Sequence, residues 1–222
     1  MDPSNIVDLS HKLDSDVQIY PDDPPFTCSP CATVAKDGYS VHGLTMGTHT
    51  GTHIDAPSHF FADGKTIDQI PLPSLFGPLV VVDLTQRNLQ NRQMIIWADI
   101  EASADRMSPG VILLLHTGWS AHWGSPKYYE HPFLARDAAE RIVERGVHIV
   151  GVDALSPDET PYQGVGGGQG FGAHEVILGA GGIIAENLTN LSALDGQNHI
   201  ALVPLNLDGC DGSPVRAFAW KT

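Results

Sequence analysis

"HTGTHIDAPSHF" (residues 49–60) places His49, His53, Asp55 and His59 within eleven positions. A helix would bring His49 and His53 to one face by their i,i+4 spacing. Gly51, Pro57, Thr50 and Thr52 oppose a stable helix here. The stretch therefore reads as an extended or looping segment that folds back on itself. Its histidines are clustered for chemistry rather than for helical packing.

Neutral imidazole and carboxylate are the usual ligands of zinc and manganese. The pattern is HxGTHxDxPxH and not HExxH, because Thr50 follows His49. His49, His53 and Asp55 fall within seven residues. Three ligands leave coordination positions open to water, the mark of a catalytic rather than a structural ion.

Outward from this stretch the chain alternates short apolar runs with helical periodicity. Strands are expected at 5–9, 78–84, 111–116, 147–153, 199–207 and 215–220. Several are almost continuously apolar, as in strands covered on both faces. Helices are expected over 91–104 and 134–146, the second stopped by Gly146. The result is an α/β chain, 1–222 read as one domain. "SPDETPYQGVGGGQGFGA" (156–173) is a long Gly- and Pro-rich loop, either a mobile cover over a site or a plain surface connection. Its "GQGFGA" (168–173) matches GxGxxA, but no strand runs into it, so a phosphate cradle is poorly supported.

The balance of 26 acidic against 12 basic residues gives a net charge of −14 and argues against nucleic acid or an anionic membrane as partner. No apolar run reaches the ~20 residues of a membrane-spanning helix. The opening "MDPSNIVDLSHKLD" lacks the basic and apolar regions of a signal peptide, so a cytoplasmic location is expected. Cys28 and Cys31 form a lone "CSPC" with no second pair to complete a four-cysteine site, and it reads as an ordinary reduced loop. The sequons at Asn187 and Asn190 read as chance matches.

The 49–60 stretch, with "AHEVILGAGGIIAENLTNL" (173–191) and "VPLNLDGCDGSPVRA" (203–217), resembles the cyclase family of metal-dependent hydrolases. Bacterial kynurenine formamidase and isatin hydrolase belong to that family. The resemblance runs over almost the whole chain. It implies a swivelling β/β/α domain, a mixed β-sheet core with flanking helices. Carried over by position, it implies a first metal on His49, His53 and Asp55. His174 and Glu186 would complete a second position, with Asp55 bridging and Glu186 able to touch both ions. His59 would be the acid/base and not a ligand. Tyr20 stands where bacterial kynurenine formamidases tend to carry a substrate-contacting Trp, which leaves the substrate open. A homodimer or homotetramer is also implied.

The expected reaction is amide hydrolysis by water activated on one or two zinc or manganese ions. His59 would pass a proton to the leaving nitrogen. An aryl-formamide fits such a site. So does a cyclic amide or lactone, as in the isatin branch, or a ring-forming or dehydrating step. A non-catalytic metal- or ligand-binding protein is the alternative of another class. No GxSxG elbow supports a serine nucleophile. Trp119 is expected in the core, and Asp153 either orients a ligand histidine or caps a turn. The remaining histidines and the lysines read as structural or solvated.

Overall fold

The structure is a computed structural model that describes residues 5–222; the segment read for a leader begins outside the described residues. The strands are β1 (Val7–Asp8), β2 (Thr27–Ala32), β3 (Val41–Thr45), β4 (His53–Asp55), β5 (Phe76–Asp83) and β6 (Met94–Ile95), then β7 (Ile112–His116), β8 (Phe133–Leu134), β9 (Ile149–Val152), β10 (Ile183–Glu186), β11 (His199–Pro204) and β12 (Gly212–Trp220). The α-helices are α1 (Val34–Asp37), α2 (Trp97–Ile100), α3 (Arg136–Glu144) and α4 (Gly172–Gly179).

Eight strands form one mixed sheet in the order β1-β12-β11-β5-β7-β9-β10-β4. Neighbours from β5 to β10 run parallel, and β11, β12 and β4 join antiparallel. The long β12 also pairs through Gly212–Pro214 with β4, so the sheet curls back on itself. This is the mixed α/β sheet core with flanking helices that the family resemblance implies.

The apolar runs are explained by burial on both faces. Leu113 and Leu115 of β7 join a cluster that contains Ala138, Ala139 and Ile142 of α3 and Ile177 of α4. Ile112 and Leu114 point to the opposite face, with Ile54 of β4, Leu202 of β11 and Ala217 of β12. Full burial of each such side chain is worth about 1.5–3 kcal/mol, so the two-sided strands anchor the fold.

Helix α3 ends where expected, with Gly146 N–H donating to Val143 O at 2.8 Å. The helix expected over 91–104 is broken. Arg92 sits at φ 55, Met94–Ile95 pairs with Phe133–Leu134, and only α2 and a 3-10 turn at Glu101–Arg106 follow. Pairing with β8 takes the backbone groups that a continuous helix would use. The "CSPC" stretch is strand and not loop: it lies in β2, paired with β3, with the thiols free and Cys28 and Cys31 exposed. The start of the 156–173 loop is also unlike a surface connection, since Ser156, Pro157, Asp158 and Thr160 are buried.

Candidate metal centre

The 49–60 stretch forms no α-helix: turns at 49–52 and a 3-10 turn at Pro57–His59 flank the short strand β4, which lies between β10 and β12. Alternation along a strand puts His53 and Asp55 on one face, while Ile54 enters the core. Glu186 of β10 is the direct register partner of His53, which sets its carboxylate beside the imidazole. His174 comes from the first turn of α4.

His53, Asp55, His174 and Glu186 are all buried, and their polar atoms converge. His53 Nε2 lies 3.3 Å from Asp55 Oδ1 and 3.3 Å from Glu186 Oε2. His174 Nε2 lies 3.4 Å from Asp55 Oδ2 and 3.4 Å from Glu186 Oε1. Each carboxylate therefore offers one oxygen to each imidazole. The opposite nitrogens are already committed. His53 Nδ1–H donates to Gly51 O at 2.8 Å, and His174 Nδ1–H donates to Asp158 Oδ2 at 2.7 Å. Both acceptors can only accept, so both Nε2 atoms are left to face the carboxylates.

These four residues fit a cation. His53 Nε2, Asp55 Oδ2 and Glu186 Oε1 are buried without any hydrogen-bond partner, a costly state for polar atoms. Donors about 2.1 Å from a tetrahedral ion sit roughly 3.4 Å apart, close to the spacings found here. Electrostatics agree. Burial pushes the His53 and His174 rings down, but the facing carboxylates outweigh it and raise His53 to about 10 and His174 well above its ordinary value. Burial pushes Asp55 up, and the imidazoles of His174, His49 and His53 hold it well below the usual carboxylate range. The cluster thus demands positive charge. A divalent cation held by these residues would supply it in place of the imidazole protons.

His49 adjoins this group. Its Nδ1–H donates to Asp55 Oδ1 at 2.7 Å and its Nε2–H to Asp211 Oδ2 at 3.0 Å. Two carboxylate acceptors make the ring an imidazolium here; burial opposes this, yet Asp211 and Asp55 raise it to about 9. To ligate an ion it must give up one of these protons. Two local structures hold the loop in place. Gly51, at φ +65, holds a backbone conformation that L side chains rarely adopt, and a Cβ there would force Leu13 Cδ2, 2.4 Å away, to move. Gly51 O also receives Asn187 Nδ2–H at 2.9 Å, while Tyr128 O–H donates to Asn187 Oδ1 at 2.8 Å. Asn187 is thereby buried and occupied, consistent with a chance sequon.

The five expected ligands therefore come together as two groups that share Asp55, namely His49–His53–Asp55 and Asp55–His174–Glu186. His59 lies at their edge on a 3-10 turn. Its Nδ1–H donates to Asp211 Oδ2 at 3.0 Å, and its ring centroid is 4.0 Å from that of His49. The Tyr20 hydroxyl is buried without a partner. Burial, then the charges of Glu186 and Asp158, push it to about 12, and its side chain packs against the hydrophobic core. Phe60 stacks on His174 at 4.8 Å and meets Phe171 edge-on at 5.3 Å, an aromatic wall next to the histidines.

Sequence reasoning missed two carboxylates. Asp158 accepts the backbone N–H groups of Ala173 and His174 at 2.8 and 2.9 Å. It caps α4, orients His174 and fills the helix start that a phosphate would need. Asp211 joins His49 to His59. Both lie in turn-like runs, "SPDET" and "DGCDGS", where an aspartate looks like an ordinary turn former; their signal is the strand register and helix start beside them. Asp153 serves the turn instead of a histidine. It accepts Thr117 N–H, Thr117 Oγ1–H and Gly118 N–H. Trp119 lies in the core as expected.

Comparison with known proteins gives a consistent picture. The Cyclase family model matches residues 7–159. Kynurenine formamidase of Bacillus cytotoxicus is 31% identical over 220 residues, 98% of this chain and 98% of its own length. Among solved structures, isatin hydrolase A from Labrenzia aggregata, bound to benzyl benzoate, superposes with a TM-score of 0.87 at 27% identity, covering 98% of this chain and 93% of that one. A protein described as a potential metal-dependent hydrolase with cyclase activity superposes at 0.76 with 27% identity and 98% coverage of both chains.

Proposed function

The chain belongs to the cyclase family, and from that membership we propose that it hydrolyses a small aromatic amide, an aryl-formamide above all. It is a hydrolase that uses a divalent metal on a C–N bond other than a peptide bond. The observation that carries the reading is the convergence of His53, Asp55, His174 and Glu186, where His53 Nε2, Asp55 Oδ2 and Glu186 Oε1 are buried with no hydrogen-bond partner. His49, His53 and Asp55 are the proposed ligands of one position, and Asp55, His174 and Glu186 those of a second. Histidine and carboxylate donors without cysteine suit zinc or manganese.

A divalent ion held there would lower the pKa of water from 15.7 toward ~7 and would polarise the scissile carbonyl. The protein's own groups do the rest. Gly51 O and Asp158 fix the donor nitrogens of His53 and His174 toward the cluster. His59, partly exposed at the cluster's edge, passes a proton to the leaving nitrogen. The unsatisfied Tyr20 hydroxyl offers a hydrogen bond to a substrate oxygen. Phe60 and Phe171 provide a wall for an aryl ring.

The likeness to isatin hydrolase A favours a second reading, ring opening of a cyclic aromatic amide at the same centre. A panel of N-formylkynurenine, isatin and simple lactones, assayed with metal-loaded protein, separates the two. Turnover of none of them, with metal bound, would support a non-catalytic binding role instead.

We further propose a cytoplasmic homo-oligomer with a small-molecule substrate and no nucleic-acid or membrane partner. Three free cysteines suit a reducing compartment, and the net charge of −14 disfavours polyanions. No described helix is long and apolar enough to cross a membrane. Val34, Tyr39, Val41 and Leu44 on or beside the β2–β3 hairpin are exposed, surface that a second copy would cover.

A further inference from the structure

We propose that Asp211 is the positioning residue of the proton carrier: one carboxylate oxygen holds His59 in its Nδ1–H tautomer and leaves Nε2 as the atom that exchanges protons with substrate. The catalytic half of this inference rests on the hydrolase reading. The structural half does not.

Asp211 is tied to the same strand as the proposed ligands. Its carbonyl accepts Ala56 N–H at 2.8 Å, and the next residue, Gly212, is the register partner of Asp55. Its side chain is held by three donors. Thr48 Oγ1–H reaches Oδ1 at 3.0 Å, while His49 Nε2–H and His59 Nδ1–H both reach Oδ2 at 3.0 Å. With both oxygens engaged, the carboxylate has little freedom to turn away. An ionised carboxylate only accepts, so the His59 nitrogen that faces it carries hydrogen.

The consequence is a defined proton route. Nε2 takes a proton from the attacking water. It returns one to the leaving nitrogen as the C–N bond breaks and its electron pair moves to nitrogen. The Nδ1–H stays bonded to Asp211 throughout, and Asp211 exchanges no proton. A carboxylate behind a catalytic imidazole fixes tautomer and orientation in this way in hydrolases of other folds. The competing role is a strut for His49 alone, which would affect metal retention instead of proton transfer.

The test begins with metal-free protein labelled with ¹⁵N in its imidazole rings. Two-bond ¹⁵N–¹H correlation, at a pH where His59 is neutral, is expected to show Nδ1–H in the wild type. It should show Nε2–H or a mixture in Asp211→Asn. In the metal-loaded enzyme, Asp211→Asn should lower kcat by about 10²-fold with KM within about threefold and metal content unchanged. In a His59→Ala background the same substitution should cost nothing further. An Nε2–H tautomer in the wild type, multiplicative losses in the double variant, or metal loss from Asp211→Asn each overturns the proposal. Asp211→Ser is a second carboxylate-free variant should Asp211→Asn not fold, and the wild-type tautomer needs no variant. A kcat untouched by His59→Ala overturns the acid/base reading itself; a persistent Nδ1–H tautomer distinguishes that failure from failure at Asp211.

Discussion

Glu186 and His53 face each other across the β10–β4 ladder as direct register partners, with Oε2 and Nε2 3.3 Å apart. One residue comes from the histidine-rich stretch and the other from a segment more than a hundred positions later. The antiparallel pairing of two short buried strands, and not local sequence, makes them neighbours. Their geometry calls for a cation between two carboxylates and two imidazoles.

Asp55 is the residue that both ligand groups share. Asp55→Ala should therefore lose more metal than His174→Ala, which removes a ligand from only one of the two proposed positions. Elemental analysis of the purified variants decides this. Retention of wild-type metal by Asp55→Ala contradicts a shared position.

His59→Ala should keep its metal and its substrate affinity while kcat falls ~10²–10⁴-fold, the usual contribution of a positioned proton carrier. A substrate with a better leaving group should recover part of the loss. Protein purified without metal, or an unchanged kcat, would make His59 a ligand or a bystander.

Gly212 lies against His49. A Cβ at this position would stand 2.7 Å from His49 Cε1 and 3.0 Å from Ile54 O. Gly212→Ala should push His49 from its place, destabilise the protein by about 1–3 kcal/mol and weaken metal binding. Urea unfolding with a parallel metal titration measures both; wild-type values in both would show that the ring has room to move.

His131 predicts a pH dependence of stability. It is buried with Nδ1–H on Pro132 O and Nε2 accepting Thr160 Oγ1–H. Burial depresses it from 6.5 to about 4, partly offset by the bond to Pro132 O. Between those values the unfolded chain takes a proton that the folded chain refuses, so stability falls as pH falls. The separation between 6.5 and about 4 corresponds to a loss of about 3 kcal/mol once the pH lies below both values. Denaturant unfolding near pH 7 and pH 4.5 should show most of that loss, and His131→Gln should flatten it. An equal slope in the variant would assign the loss to other groups.

The Gly- and Pro-rich loop 156–173 is anchored at both ends, by buried Ser156–Asp158 and by α4. Any closure is confined to the exposed stretch between them. A competitive inhibitor should slow hydrogen exchange over 161–171 and leave 156–160 unchanged. No change in either segment would make the stretch a plain connection.

The strands were legible where an apolar run is long enough to be covered on both faces, as in "VILLLH" around β7. β4 and β10 were not, because three or four residues carry too little periodicity. Arg92 and the pairing of Met94–Ile95 broke a helix that local pattern favoured, a tertiary contact overriding propensity. At the site, the residue types and spacing around His49, His53 and Asp55 announced metal chemistry. His174 and Glu186 were reachable through the family resemblance alone, since no spacing links them to residue 49. Asp158 and Asp211 were hidden because a turn aspartate reveals its purpose only when the helix start or strand beside it is placed.

The most direct test of the central claim is hydrolysis of N-formylkynurenine and isatin by rigorously metal-free protein before and after reloading with zinc or manganese, with bound metal measured in the same samples. The account predicts no turnover without metal, and recovery on one of these substrates in proportion to the metal taken up. Full turnover by metal-free protein, or failure of the folded protein to take up either ion, would contradict it.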